Sequence, residues 1–339
     1  MMHSVKARRT AGLFHWCQPR YAMLGVLLLM GGCSLLAPQS QAVLSRPPPG
    51  LPLRAEIREV PYFAQTEHHC GPAALAMALG SAGVPATPGQ LAEQVYLPGR
   101  QGTLQVEMLA AARRNGLVAY VLAPSLDDLL HEVAAGTPVI TLENYGVPYF
   151  PIWHYAVAIG FDLQRREVIR HSGALERKPL PLSVFEYFWR DGYRGGRWAM
   201  VAVPPERVPA TATEQRYAEA VAALEKTGHT RGAATAYGAM LKRWPANLVA
   251  LMGRGNTAHA LGDLALAEAS FRQAAQMHTT SAAAFNNLAQ TLLDRGKLDE
   301  ARANAEYAAQ LGGPMRTRAL ETLAEIHKKQ STQNQPRTQ

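Results

Sequence analysis

The chain has 339 residues, 47% hydrophobic and 18% charged, the balance of a globular protein long enough for two domains. Three cysteines in that length exclude a disulfide framework. The formal net charge is +8, but residues 1–32 hold four bases and no acids, so the remainder carries +4 and shows no basic patch for nucleic acid.

Lys6, Arg8, Arg9 and Arg20 precede or flank the start of an apolar run, Ala22–Gly32, "AMLGVLLLMGG". The run is shorter than the roughly 20 residues of a membrane-spanning helix and has the order of an export signal. It ends in "LMGGCS". A leucine, small residues and then a cysteine resemble the lipobox of bacterial lipoproteins. The resemblance implies a signal over 1–32, lipid on Cys33 and anchoring in a bacterial cell envelope. Ser34, where retained lipoproteins carry aspartate, implies the outer membrane, facing the periplasm. An ordinary secretory signal or an uncleaved anchor is the alternative. Loss of the signal removes Cys17 and acylates Cys33, so Cys70 becomes the only free thiol in an oxidising compartment.

Residues 33–54 are proline-rich and aperiodic, which predicts an extended tether. Residues 55–203 mix helix and strand signals. "IREVPYFAQ" reads as a strand entering a loop. Cys70–Ser81 reads as a helix with Ala73, Ala74, Met77 and Ala78 on one face. Helices follow over Thr87–Val95 and Thr103–Asn115, the second stopped by Asn115-Gly116. "LVAYVLAP" reads as a strand, and "SLDDLLHEVAAG" has the Ser cap and terminal Gly of a helix. "PVITLE", "HYAVAIGF" and "REVIRHS" are β-rich, the last two as a hairpin. "PLSVFEYFWRDG" reads as a helix and "RWAMVAVP" as a last strand. Helices first and antiparallel strands later make an α+β pattern.

Residues 204–213 form a proline-marked linker. Alanine-rich sequence then repeats with a period of 34: Gly228, Gly262 and Gly296 are in register, as are Ala233, Ala267 and Ala301. The period resembles the tetratricopeptide repeat and implies paired helices with small residues where they cross. Three repeats span 214–315 with a closing helix to 328, together an all-α solenoid that docks protein partners. Residues 329–339 read as a disordered tail.

Cys70 stands at a predicted helix start, where free backbone amides favour negative charge on sulfur. Pro72 suits the first turn. Gln65 lies five residues upstream and can offer an amide to an oxyanion. Of the histidines, His154 opens an apolar strand, where a base can be held rigidly. Adjacent His68, His69 and Cys70 do not have the spacing of zinc ligands. A buried small residue is the other reading of Cys70.

"AQTEHHCGPAALAMAL" followed by "HYAVAIGFD" resembles the papain-like double-glycine, bacteriocin-processing cysteine peptidases. The resemblance implies a papain-like fold over about 56–203, Gln65 in the oxyanion hole, Cys70 as nucleophile and His154 as base. In that family an acidic residue on the next strand, usually in an Asp-Pro pair, orients the base. Here the corresponding stretch is "VIRHS", Val168–Ser172, without an aspartate. His171 is taken as the orienter, with a backbone carbonyl or Asp162 as alternatives. The expected activity is peptide-bond hydrolysis by a Cys/His pair, without cofactor or metal. The alternative is a non-catalytic peptide-binding scaffold.

Overall fold

The computed structural model describes residues 37–65, 68–147, 149–190 and 196–333. The export signal, Cys33 and residues 334–339 of the tail lie outside the described residues. The first part runs α1 (Pro38–Ser45), β1 (Arg54–Glu56), α2 (Cys70–Ser81), α3 (Pro88–Val95), β2 (Tyr96–Leu97), β3 (Gly102–Thr103) and α4 (Gln105–Arg114). It continues with β4 (Val118–Val121), α5 (Leu126–Ala134), β5 (Val139–Asn144), β6 (Trp153–Asp162), β7 (Glu167–Ser172), β8 (Leu175–Pro181), α6 (Leu182–Arg190) and β9 (Ala199–Val203).

Seven strands form one antiparallel sheet in the order β4–β9–β5–β6–β7–β8, with β1 paired to the far half of β6. The near-continuous apolar run of β6 explains its central place, since eight of its ten residues are buried. Apolar residues of α2, α3 and α4 pack on one face, including Met77, Leu91 and Met108 against Val157 and Ile159. Those of α1, α5 and α6 pack on the other, including Leu130, Phe185 and Trp189 against Phe161. The α2 sequence, expected to bury one face, is buried from Gly71 through Leu79. A helix apolar on every side belongs between layers, and this one lies between the sheet and its neighbours α3 and α4.

Three segments depart from the sequence reading. In the first, Thr103, the expected start of a helix, lies instead in β3, paired with an unexpected β2, so that α4 begins at Gln105. Part of the expected tether is helix α1, docked on the domain. The Glu186 carboxylate accepts the N–H groups of Gln39 and Ser40 at 3.0 and 2.6 Å, a side-chain cap supplied from 146 residues away. The Gln39 side chain in turn accepts Leu126 N–H at 2.6 Å, at the start of α5. The exposed charged strand β8 also went unpredicted; its prolines sit on a sheet edge, where a missing donor is tolerated.

The linker is pinned to the domain. Thr211 donates from its N–H and hydroxyl to the buried Glu132 carboxylate at 2.8 and 2.7 Å. Helices then pair: α7 (Glu214–Glu225) with α8 (Thr230–Arg243), α9 (Leu248–Ala260) with α10 (Leu264–Met277), and α11 (Ala282–Asp294) with α12 (Leu298–Leu311). The closing helix α13 runs Arg316–Gln333, past the expected end at 328. Gly228, Gly262 and Gly296 have φ of +85°, +81° and +76°, which is why each intra-repeat turn holds a glycine. Tyr217 of α7 packs on Tyr120 of β4, with ring centroids 6.4 Å apart, so one apolar core runs from the sheet into the repeats. No described helix is long and apolar enough to cross a membrane.

Candidate active site

Cys70 is the first residue of α2, with His69 at the N-cap position but making no side-chain capping hydrogen bond. The start of this helix is fixed by close contact. A Cβ on Gly71 would lie 2.6 Å from the Thr103 Cβ, so only glycine lets β3 approach there. Thr103 also accepts the Tyr155 hydroxyl at its carbonyl, 3.2 Å away.

The Cys70 sulfur is not the low-pKa thiolate expected of a helix start. Burial pushes its pKa up, and the hydrogen-bonding backbone amides of Tyr155, Gly71 and Cys70 offset that only in part. Tyr155 directly follows His154, so the sulfur meets β6 one residue from the histidine. Cys70, His154 and Gln65 line one cavity of about 630 Å³, walled by Thr103, Leu142 and Trp153 among others.

Gln65 is clamped. Its backbone N–H donates to the Gly173 carbonyl at 3.1 Å, and its Oε1 accepts Gly173 N–H at 2.8 Å. Its Nε2 donates to the Tyr155 carbonyl at 3.0 Å. These partners fix which end of the amide is which. The Nε2 group carries a second hydrogen at the cavity wall.

His154 places Nε2 3.0 Å from the Ser172 hydroxyl and stacks on Tyr145 with centroids 5.0 Å apart. Burial first, then the charges of Arg170 and Lys178, push its pKa down to about 4. Behind Ser172 lies a buried polar group. Arg170 Nη1 donates to Ser172 Oγ at 3.1 Å, to Tyr145 Oη at 2.6 Å and to Glu143 Oε2 at 2.8 Å. Glu143 also accepts the Tyr145 and Thr141 hydroxyls at 2.9 and 3.0 Å. Glu143 is the register partner of His154 across β5 and β6.

The residue beside His154 Nε2 is thus Ser172, and His171 is placed elsewhere. His171 Nδ1 accepts the Arg177 N–H at 3.1 Å, its ring is hydrogen-bonded to the Val60 backbone, and it packs on Tyr62 at 5.2 Å. Neighbours in a strand point to opposite faces, so His171 and Ser172 cannot share a partner. Asp162 accepts Arg165 N–H in the β6–β7 turn, at the far end of β6. His69 stacks on Tyr96, and His68 lines the cavity. Among the described residues no three His, Cys, Asp or Glu side chains are placed to hold a metal ion.

Sequence reasoning left out Arg170, Glu143 and Tyr145. The signal was a charge inside each of two β-rich stretches, Glu143 in "VITLEN" and Arg170 in "EVIRHS", which burial forces to pair.

A sheet faced by a central helix with cysteine at its start, and histidine at the head of the middle strand, defines a papain-like cysteine peptidase fold. Residues 57–191 match the Peptidase_C39 like family, and residues 217–284 match the tetratricopeptide repeat. The chain carries a Peptidase_C39-like domain followed by tetratricopeptide repeats. No curated protein matches it. Among solved structures it is similar to the Yersinia enterocolitica type III secretion translocator chaperone SycD, at 22% identity over 34% of this chain and 85% of that one, TM-score 0.33. The first TPR domain of human RPAP3 matches at 21% identity over 35% of this chain and 93% of that one, TM-score 0.33.

Proposed function

We propose that this is a thiol-dependent peptide hydrolase whose repeats bind protein partners. The observation that carries the reading is the meeting of Cys70, His154 and Gln65 at one cavity, with the sulfur against the backbone of the residue after the histidine. Cys70 Sγ attacks the peptide carbonyl, and its proton passes to His154. With Nε2 held by Ser172, Nδ1 is the ring nitrogen left for that proton. The tetrahedral oxyanion takes the Cys70 N–H and the second Nε2 hydrogen of Gln65. His154 returns the proton to the leaving amine, and water releases the acyl group. Because burial holds the thiol neutral and the imidazole is also neutral, the proton moves during attack rather than beforehand. The same observation supports the second reading, a peptide-binding scaffold without turnover, since a neutral pair backed by Arg170 attacks slowly.

The reading includes an envelope location through lipid on Cys33, supported by the "LMGGCS" stretch. Incubation with a peptide library followed by mass spectrometry tests the activity. New termini that vanish in Cys70→Ala and His154→Ala support hydrolysis. Intact peptides retained equally by wild type and Cys70→Ala support the scaffold. Labelling with a palmitate analogue, lost in Cys33→Ala, tests the anchor; unlabelled protein rejects it.

A further inference from the structure

The hydrogen bonds around Ser172 bear on where the His154 proton rests, because they limit where the single Ser172 hydrogen can go. Ser172 Oγ has three neighbours: His154 Nε2 at 3.0 Å, Arg170 Nη1 at 3.1 Å and Tyr145 Oη at 3.3 Å. Arg170 can only donate, and its Nη1 shares two hydrogens among Tyr145 at 2.6 Å, Glu143 at 2.8 Å and Ser172 at 3.1 Å, so it occupies one lone pair of Oγ through a shared hydrogen. Tyr145 has one hydrogen, and the Glu143 carboxylate takes it at 2.9 Å. The Tyr145 oxygen already accepts Arg170 at 2.6 Å. The single Ser172 hydrogen therefore has two destinations, a crowded phenol oxygen at the longer distance or His154 Nε2 at the shorter one.

We propose that Arg170, locked by Glu143, turns the Ser172 hydroxyl into a donor to His154 Nε2, so that the resting imidazole carries its proton on Nδ1. This inference concerns the base of the proposed hydrolase and rests on that reading only for its consequence. A guanidinium on Oγ draws electron density from the oxygen, which makes the hydroxyl a better donor and a poorer acceptor. Nδ1 is the nitrogen needed for the thiol proton, so the resting tautomer is latched against catalysis. Release requires the Ser172 hydrogen to rotate to Tyr145 Oη, one proton to leave Nδ1 for solvent and one to arrive at Nε2. Ser172 then accepts from both Arg170 and His154, which its two lone pairs allow. Arg170, Glu143 and Tyr145 are positioning residues in this scheme.

The groups around the ring are Cys70 from α2 across the cavity, Glu143 and Tyr145 from β5 and its end, Arg170 and Ser172 from β7, Lys178 from β8, and Phe188 of α6 against Tyr145. None places an anion on the imidazole. Glu143, the buried carboxylate, is spent on Arg170, Tyr145 and Thr141.

The test is two-bond proton–nitrogen correlation NMR on the full chain carrying ring-labelled histidine, with His154 assigned by His154→Gln. The wild type is expected to show the Nδ1–H tautomer from pH 5 to 9. Ser172→Ala removes the donor and should move at least half the population to Nε2–H. Ser172→Asp places a carboxylate at Nε2 and should give Nε2–H throughout, with Cys70 alkylation by iodoacetamide at pH 6 at least tenfold faster than in the wild type. A wild-type Nε2–H tautomer, or a Ser172→Ala spectrum identical to the wild type, overturns the proposal. Far-UV circular dichroism confirms that each variant is folded, and Ser172→Thr, which keeps the hydroxyl, should restore the wild-type tautomer. The tautomer is read without turnover, so absence of hydrolysis in every variant sinks the peptidase reading and leaves this one standing or falling by the spectra.

Discussion

Replacing Arg170 with methionine should cost the domain about 3–5 kcal/mol at pH 7, the range for removing one partner of a buried ion pair. The side chains of Arg170 and Glu143 are 3% and 0% exposed, and the pair closes at 2.8 Å. Without the guanidinium, Glu143 keeps only the Tyr145 and Thr141 hydroxyls as donors and cannot reach water. Burial already pushes its carboxyl pKa up, with Arg170 opposing, so loss of Arg170 raises it further and the carboxyl escapes part of the penalty by taking a proton. The loss should therefore shrink between pH 7 and pH 5. The double variant Glu143→Leu/Arg170→Met strands hydroxyls but no charge, at about 1–3 kcal/mol for each unsatisfied group at most. Removing the carboxylate should thus recover about 2 kcal/mol of the single-variant loss. Urea unfolding followed by Trp189 and Trp198 fluorescence reads these differences. A single-variant loss below about 1 kcal/mol, or a double variant as unstable as the single, would refute the reasoning that the pair is charged and dry.

Three further outcomes follow from the same geometry. His154 has its pKa held at about 4 in the fold, against 6.5 unfolded, so the folded state binds fewer protons between those values. Its contribution is full above pH 6.5 and is lost as the pH falls toward 4; His154→Gln should flatten that part of a Tm-versus-pH series, and an unchanged slope counts against burial of the neutral ring. Gln65→Ala should lower kcat for a cleaved peptide by about 10²-fold, as loss of one oxyanion donor does, with KM changed far less; a change confined to KM would make Gln65 a binding residue. In the repeats, burial alone would raise the Glu268 carboxyl, but Arg272, Lys297 and Arg295 together lower it. Stability from this cluster is present above the ordinary carboxyl value of 4.5 and is lost as the pH falls through the lower folded value, a dependence that Glu268→Gln should remove from circular-dichroism melts.

Much of this arrangement was legible because it is local. The Cys70–Ser81 helix, the Ser125 cap of α5 and the hairpin of β6 and β7 follow from spacing and capping within a few residues. The 34-residue period fixed the repeat helices because each repeat solves the same packing problem. What was not legible depends on partners far along the chain. Helix α1 starts where Glu186 supplies the acceptors that its own prolines and serines do not. The choice of Ser172 over His171 turns on one step of strand alternation beside an irregularity between Arg170 and Ser172, which spacing alone cannot place. The Cys70 pKa depends on how deeply the helix start is buried, and burial outweighs the three amides that the helix start and Tyr155 offer.

The central claim is that Cys70 is a nucleophile served by His154. Mass spectrometry of the whole protein after exposure to peptidyl acyloxymethyl ketones at pH 7.5 tests it most directly, because such probes capture a cysteine that attacks a bound carbonyl. The account predicts one adduct, on Cys70, formed at least tenfold more slowly in His154→Ala than in the wild type. Labelling of wild type and His154→Ala at the same slow rate would contradict it.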